Sequence, residues 1–194
     1  MKLSGGKQDQ YAATFGGLNF MEFYDNDRVI VNPLRLKRWI KNEMENSLVL
    51  FYTGTSHDSG KIIEEQKKSI KNEKSLEAMF AIKEQTYKMK ECILKGDFDG
   101  VAECLHQNWL AKKKTSSVIS NPLIEETYEY ILAHGGKAAK ISGAGGGGFM
   151  MIWCDPKRRY ELVHALKNRK EGKTKIVDFV EHGAQTWTIY DDKE

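Results

Sequence analysis

The sequence predicts an α+β fold in which an antiparallel sheet carries helices on one face. Three observations lead to this expectation. A glycine-rich turn at 143–148 lies between two short segments with strand character. Long stretches with apolar residues at helical spacing fill the middle of the chain. Short runs of β-branched and aromatic residues near both ends can supply further strands.

The first part of the chain is predicted to contain a short helix, a hairpin and a buried strand. The helix lies between the glycine pairs at 5–6 and 16–17. Residues 18–24 and 28–31 are expected to pair around the turn Asp25-Asn26-Asp27. The segment 48–52 is apolar throughout and is followed by Thr53-Gly54, which predicts a buried strand.

Helices are predicted to dominate the middle. Residues 74–95 have an apolar face that is expected to be core rather than a cofactor contact. Asp97 is predicted to cap the next helix, and Asn121-Pro122 to open another that stops at Gly135-Gly136. The apolar faces of the three helices are Leu76, Met79, Phe80, Ile82, Met89 and Ile93; Phe98, Val101, Leu105 and Trp109; and Ile124, Tyr128 and Ile131.

The last third is predicted to be rich in strands. Asp155-Pro156 is typical of a helix start, and a polar stretch follows that helix. In order, the expected elements are strands at 137–142 and 149–154, a helix carrying Tyr160, Val163 and Leu166, a connection at 167–175, and strands at 176–180 and 186–190.

Composition excludes several classes of function. The 194 residues carry a formal net charge of +3, too small to indicate a nucleic-acid partner. The three cysteines form no C-x-x-C pair, which argues against a disulfide framework or a zinc site and favours reduced thiols in a cytoplasm. No run approaches the length of a membrane span, so no membrane partner is expected. Lys112-Lys113-Lys114 is interpreted as a solvated helix end.

The glycine-rich turn is the main candidate site. Glycines occupy five of the six positions 143–148, so backbone N–H groups there can approach and line an anion site. A strand rather than a helix follows, which argues against a dinucleotide fingerprint, and no Lys-Ser/Thr pair marks a Walker A loop. The protein-kinase motifs are also absent. A plain hairpin turn remains the alternative. The predicted phosphate-binding residues are Ser142, Gly143, Ala144, Gly145, Gly146 and Gly147.

A second candidate lies near the start. Asp9 stands between Gln8 and Gln10 on the predicted short helix. Such an aspartate is usually a helix-start residue favoured by the helix dipole. In a phosphoryl-transfer site it could instead accept the proton of an attacking hydroxyl. Gln8, Gln10 and Tyr11 are then weaker candidates for contact with the substrate.

Together these segments resemble the galactokinase, homoserine kinase, mevalonate kinase and phosphomevalonate kinase (GHMP) superfamily, and within it the bacterial D-glycero-D-manno-heptose 7-phosphate kinases. Residues 5–11 resemble the catalytic-aspartate segment, and residues 140–148 resemble the third glycine motif. Residues 51–59 and 183–187 add similarity. His57 stands where we expect an arginine in the heptose kinases. The resemblance implies a ferredoxin-like C-terminal domain.

The resemblance also implies ATP, a magnesium ion and a sugar phosphate as ligands. Nothing in the chain resembles the family's main ATP loop, P-x-x-x-G-L-x-S-S-A, so magnesium ligands are expected outside it and none is assigned here. Residues 1–47 are predicted to be a remnant of the N-terminal kinase domain, and residues 48–194 the C-terminal domain.

The leading hypothesis is therefore the C-terminal portion of an ATP-dependent kinase that phosphorylates the anomeric hydroxyl of heptose 7-phosphate. It is expected to be inactive without an N-terminal half, and uncovered surfaces could make it a homodimer. The alternative is a non-catalytic module that binds a sugar phosphate or associates with a kinase.

Overall fold

The computed structural model describes residues 6–55, 59–69 and 72–188. The chain forms two compact units. The larger unit is Leu36–Val177, and the smaller unit joins Gly6–Arg35 to residues 178–188. The boundary predicted between residues 47 and 48 remains a prediction. It divides the chain by resemblance to the two domains of a kinase family, whereas these units are groups of residues in contact.

The smaller unit contains a helix and a hairpin. Helix α1 (Gln8–Phe15) precedes strands β1 (Asn19–Phe23) and β2 (Val29–Pro33), which pair antiparallel as predicted. The Tyr11 ring lies edge-on to Phe23, with 5.7 Å between the ring centroids, and joins the helix to the hairpin. None of the described residues of this unit is fully buried.

The C-terminal segment of the smaller unit corrects the sequence prediction. Residues 177–188 contain no regular strand, so the strands expected at 176–180 and 186–190 are wrong over the described residues. The segment instead makes isolated bonds at the end of α1, where Gly17 N–H donates to Val180 O (2.8 Å) and Ala184 N–H donates to Thr14 O (3.1 Å). Single bonds to a helix end do not build a ladder, whatever the β propensity of the residues.

A four-stranded antiparallel sheet forms the centre of the larger unit, in the order β4-β5-β3-β6, and confirms the predicted α+β class. Its elements in chain order are α2 (Arg38–Ser47), β3 (Leu48–Tyr52), α3 (Ser59–Ser69), α4 (Glu73–Lys95), α5 (Phe98–Thr115), α6 (Pro122–Ala133), β4 (Gly136–Ile141), β5 (Phe149–Cys154), a 3₁₀ turn (Pro156–Arg158), α7 (Arg159–Lys167) and β6 (Lys173–Ile176).

The helix starts follow from the capping residues that the sequence shows. Asp97 Oδ1 accepts from Gly100 N–H (2.9 Å), and Asn121 Oδ1 accepts from Ile124 N–H (3.0 Å). Each bond satisfies an amide that the helix itself leaves unpaired. Both caps are therefore confirmed.

The main core lies against one face of the sheet. Alternate residues of the three long strands belong to it, as the period of two for β-structure requires. Helices α5, α6 and α7 supply the opposing side chains, together with Ile62 and Ile119. The other members are Val49, Phe51, Ala139, Ile141, Met150, Ile152 and Cys154 from the strands, and Trp109, Ile124, Tyr128, Ile131, Leu162 and Leu166 from the helices.

Helix α4 packs differently from the prediction. Its only buried residues among those described are the small residues Ser75 and Ala78, and the Ser75 hydroxyl donates to the backbone oxygen of Thr115 on α5 (3.4 Å). The apolar face expected to be core is partly exposed, with Phe80 at 63%. Small side chains allow α4 to approach α5 closely and leave the larger ones outside.

Two expectations for the end of the larger unit hold only in part. Helix α7 buries Leu162 and Leu166, whereas Tyr160 is 82% exposed. The expected polar connection at 167–175 is shorter, because β6 begins at Lys173 and pairs with β3 from Lys173 opposite Tyr52 to Ile176 opposite Val49. Pairing with an edge of the sheet outweighs the polar composition of this strand.

Candidate phosphate-binding site

The glycine loop, residues 142–148, connects β4 to β5 as the sequence predicts. At its base, Ser142 N–H donates to Phe149 O (2.8 Å). At its far end, Gly148 N–H donates to Thr55 O, and Gly148 O accepts from Thr53 N–H (2.8 and 2.9 Å). The loop is thus tied to the segment that follows the central strand β3.

The middle of the loop is held by the segment between α5 and α6. Gly146 N–H donates to Ile119 O (2.8 Å), and the Asn121 side-chain amide donates to Gly146 O (3.2 Å). Asn121 therefore caps α6 and fixes the loop with the same side chain. Gly145 and Gly147, on either side of Gly146, are buried.

Glycine is required at Gly145 for two reasons. Its φ of +117° lies in a region that residues with a Cβ rarely adopt. A Cβ built there would lie 3.2 Å from three atoms of Ile119, including its Cα and backbone oxygen. At Gly143 and Gly148, which also have positive φ, a Cβ would meet nothing within 4 Å. The loop packs against Ile119 at one point and is open at others.

Four N–H groups of the loop have no hydrogen-bond partner among the described residues: those of Gly143, Ala144, Gly145 and Gly147. Gly145 and Gly147 are buried, and a buried amide without a partner costs free energy, so native proteins seldom leave one unsatisfied. Neighbouring free amides in turns with positive φ form concave sites for anions. The arrangement suits an anion, and the phosphate that the sequence predicts for this loop stays a prediction.

Two lysines that the sequence reading did not select lie beside this loop. Lys112 Nζ donates to Ile141 O (3.3 Å) and also to Gly143 O. Lys140 Nζ donates to Asn108 Oδ1 (2.7 Å). Burial, reinforced by the charge of Lys140, lowers the pKa of Lys112 to about 8. Burial also lowers the pKa of Lys140.

The lysine run at the end of α5 is therefore only partly the solvated helix end expected from the sequence. Lys112 is partly buried against the loop, and Lys113 bonds to Glu125 on α6 (2.8 Å). Lys114 alone of the three is exposed. A charge run carries no information about a distant strand end, so the sequence could not separate these three residues.

The second predicted group lies on α1, in the smaller unit. Asp9 is in the first turn of the helix and is exposed, as are Gln8 and Gln10, while Tyr11 is partly buried. The Lys7 ammonium bonds to Asp27 in the hairpin turn, which holds the helix start to the hairpin. The loop residues thus come together in the larger unit, and the four α1 residues come together in the smaller one.

The described residues show neither a metal-binding cluster nor a membrane-spanning helix. Within residues 6–55, 59–69 and 72–188, no cluster of three or more His, Cys, Asp or Glu side chains could hold a metal ion. No helix in these ranges is long and apolar enough to cross a membrane. His57 and Gly5 lie outside the described residues. Gly6 is described and is exposed.

Comparison with known proteins agrees with this fold and loop. The family model for the C-terminal domain of GHMP kinases matches residues 89–172, which include α5, α6 and the whole glycine loop. Mevalonate kinase from L. major has the same fold, with a TM-score of 0.70 at 20% identity over 91% of this chain and 53% of that one. The chain carries a GHMP kinase C-terminal domain.

Two relatives are more similar in sequence. A D-glycero-alpha-D-manno-heptose 7-phosphate kinase from Campylobacter jejuni is 46% identical over 185 residues, which are 95% of this chain and 54% of that protein. A D-glycero-D-manno-heptose 1-phosphate kinase from Bacteroides thetaiotaomicron is 40% identical, with a TM-score of 0.71 over 97% of this chain and 51% of that one. The chain spans about half the length of these relatives.

Proposed function

We propose that this chain is the C-terminal part of an ATP-dependent sugar kinase that phosphorylates the anomeric hydroxyl of D-glycero-D-manno-heptose 7-phosphate. The observation that carries the proposal is the 46% identity, over 95% of the chain, to a relative named for that substrate. The free amides of the glycine loop support it independently, because they suit a phosphorylated ligand.

The glycine loop is proposed to bind the phosphates of ATP through the backbone of residues 142–147. Phosphoryl transfer depends mainly on positioning and on stabilisation of charge. The bonds of Gly146 to Ile119 and of Gly148 to Thr55 already fix the loop, so its free amides need no rearrangement to receive a phosphate oxygen. Magnesium, when bound, neutralises charge on the phosphates, and its ligands are expected in the part of the relatives that this chain does not cover.

Asp9 is proposed as the carboxylate that orients the sugar hydroxyl and accepts its proton. Its exposed position near the start of α1 leaves the carboxylate accessible. Gln8, Gln10 and Tyr11 are proposed to contact the substrate. Tyr11 suits a positioning role best, because its ring is held against Phe23.

Activity is proposed to need the other half of the relatives. The main ATP loop of the family is not found in this sequence, so the chain alone should show negligible turnover. The free thiols of Cys92, Cys104 and Cys154 are consistent with the cytoplasm as its compartment. The competing proposal is a binding module that keeps the loop but does not catalyse.

Reassembly tests the proposal. The N-terminal portion of the Campylobacter jejuni relative is mixed with this chain, and ADP release is followed with heptose 7-phosphate. We expect turnover from the mixture, little from either part, and a large loss with Asp9→Asn. Binding of ATP and sugar phosphate without turnover in the mixture would favour the module instead, and absence of both binding and turnover would contradict both proposals.

A further inference from the structure

Two cations beside the glycine loop have only neutral partners among the described residues. Lys112 donates to two backbone carbonyls, of Ile141 and Gly143, and Lys140 donates to the side-chain oxygen of Asn108. The adjacent Lys113, by contrast, has a carboxylate partner in Glu125. Partly buried charges are normally paired with an opposite charge, so the site has an excess of positive charge.

The hydrogen bonds of Lys112 leave one of its N–H groups without an acceptor among the described residues. An ammonium group has three N–H donors, and the two carbonyls account for two of them. One of these carbonyls belongs to Gly143, whose own N–H is among the free amides of the loop. The bond to Gly143 O therefore places the Lys112 ammonium against the loop that carries those amides.

We propose that Lys112 is a ligand-binding residue of this site: its ammonium supplies the positive charge for a bound phosphate and gives its third N–H to a phosphate oxygen. Its other two N–H groups hold the loop in shape. The inference rests on the proposed function, since it takes the phosphates of ATP as the ligand. It adds a charged side chain to a site otherwise made of backbone.

The groups around Lys112 set how its charge should respond to pH. Lys140 on β4 opposes the charge, and burial opposes it more strongly, so the pKa of Lys112 is about 8. On α6, Glu125 is engaged by Lys113 and Ser120. The neighbours from α3 and α4 at the end of α5, Gln66 and Ser75, are uncharged and contact Thr115.

A bound phosphate should raise the pKa of Lys112, so phosphate binding and protonation of Lys112 should favour each other. Below pH 7, Lys112 is already protonated in the free protein. Phosphate binding is therefore strong there, and few protons are taken up with it. As the pH rises through about 8, the free protein loses the proton, and binding must restore it. Affinity should fall about eightfold from pH 7.5 to pH 9, with uptake of about half a proton at pH 8.

Calorimetry of ATP binding to this chain tests the inference. Titrations at pH 8 in two buffers with different ionisation enthalpies give the number of protons taken up, and titrations from pH 7.5 to 9 give the affinity. ATP is a suitable probe because phosphate groups of this kind titrate near pH 6. Lys112→Met should bind at least tenfold more weakly and lose the uptake. Lys112→Arg, which stays charged, should keep binding at pH 9 and also lose the uptake.

The matched control is Lys114→Met, which removes an exposed lysine from the same helix end and should leave uptake and affinity unchanged. Proton uptake that persists in Lys112→Met, or wild-type affinity in that variant, would overturn the inference and leave the kinase proposal standing. Wild-type protein that does not bind ATP would overturn it too. Turnover of the reassembled enzyme is measured separately, so failure of the kinase proposal is distinguishable.

Discussion

Gly145→Ala should destabilise the chain far more than the same change at Gly143 or Gly148. At a φ of +117° the alanine backbone is strained by roughly 1–3 kcal/mol. The new Cβ also lies 3.2 Å from the backbone of Ile119, so the loop must shift and weaken the bond from Gly146 N–H to Ile119 O, at roughly 0.5–1.5 kcal/mol. The expected loss of unfolding free energy is about 2–4 kcal/mol.

The two other glycines provide the controls. Both have positive φ, but a Cβ at either meets nothing within 4 Å, so only backbone strain of about 1 kcal/mol is expected. Urea unfolding of the three variants, followed by circular dichroism, measures the difference. Equal losses in all three would refute the reasoning, because contact with Ile119 would then contribute nothing.

Three further predictions concern Asp9, Glu125 and the smaller unit. In the reassembled enzyme, Asp9→Asn should lower kcat by ~10²–10⁴ with little change in KM, and an unchanged kcat at saturating substrate would remove Asp9 from catalysis. Burial raises the pKa of Glu125, but hydrogen bonds from Lys113 and Ser120 outweigh it and hold the pKa below its usual value. Glu125→Gln should therefore cost ~0.2–1 kcal/mol in urea unfolding at pH 7 and less as the pH falls below the unfolded-state value; a cost independent of pH would contradict this. Sedimentation should show concentration-dependent association, because Phe15, Leu18 and Phe20 are incompletely buried, and a strict monomer with a protected N-terminus would contradict it.

Local signals in the sequence predicted much of the fold. The hairpin of β1 and β2 and the caps at Asp97 and Asn121 depend on residues close together in the chain. The strands around the glycine loop follow from a short apolar run next to residues that reach positive φ. In each case the residues that determine the element lie within it or next to it in the sequence.

The errors concern contacts between distant residues. Residues 176–180 have strand composition, but only Ile176 finds a partner strand, at Val49. The apolar face of α4 is partly exposed because α5 meets its small residues instead. Lys112 was missed because its partners, the carbonyls at the end of β4, are brought to it only by the fold. Spacing along one segment cannot show which other segment will pack against it.

The most direct test of the phosphate site is an NMR titration of this chain with ATP, with the loop amides observed one by one. The account predicts shifts in the N–H signals of Gly143, Ala144, Gly145 and Gly147, which are free, that exceed those of Gly146 and Gly148, which are bonded to Ile119 and Thr55. Gly100, whose amide is bonded to Asp97 at the start of α5, is the control and should not move. Saturable shifts elsewhere, with the four free amides unchanged, would contradict the assignment of the glycine loop as a phosphate-binding site.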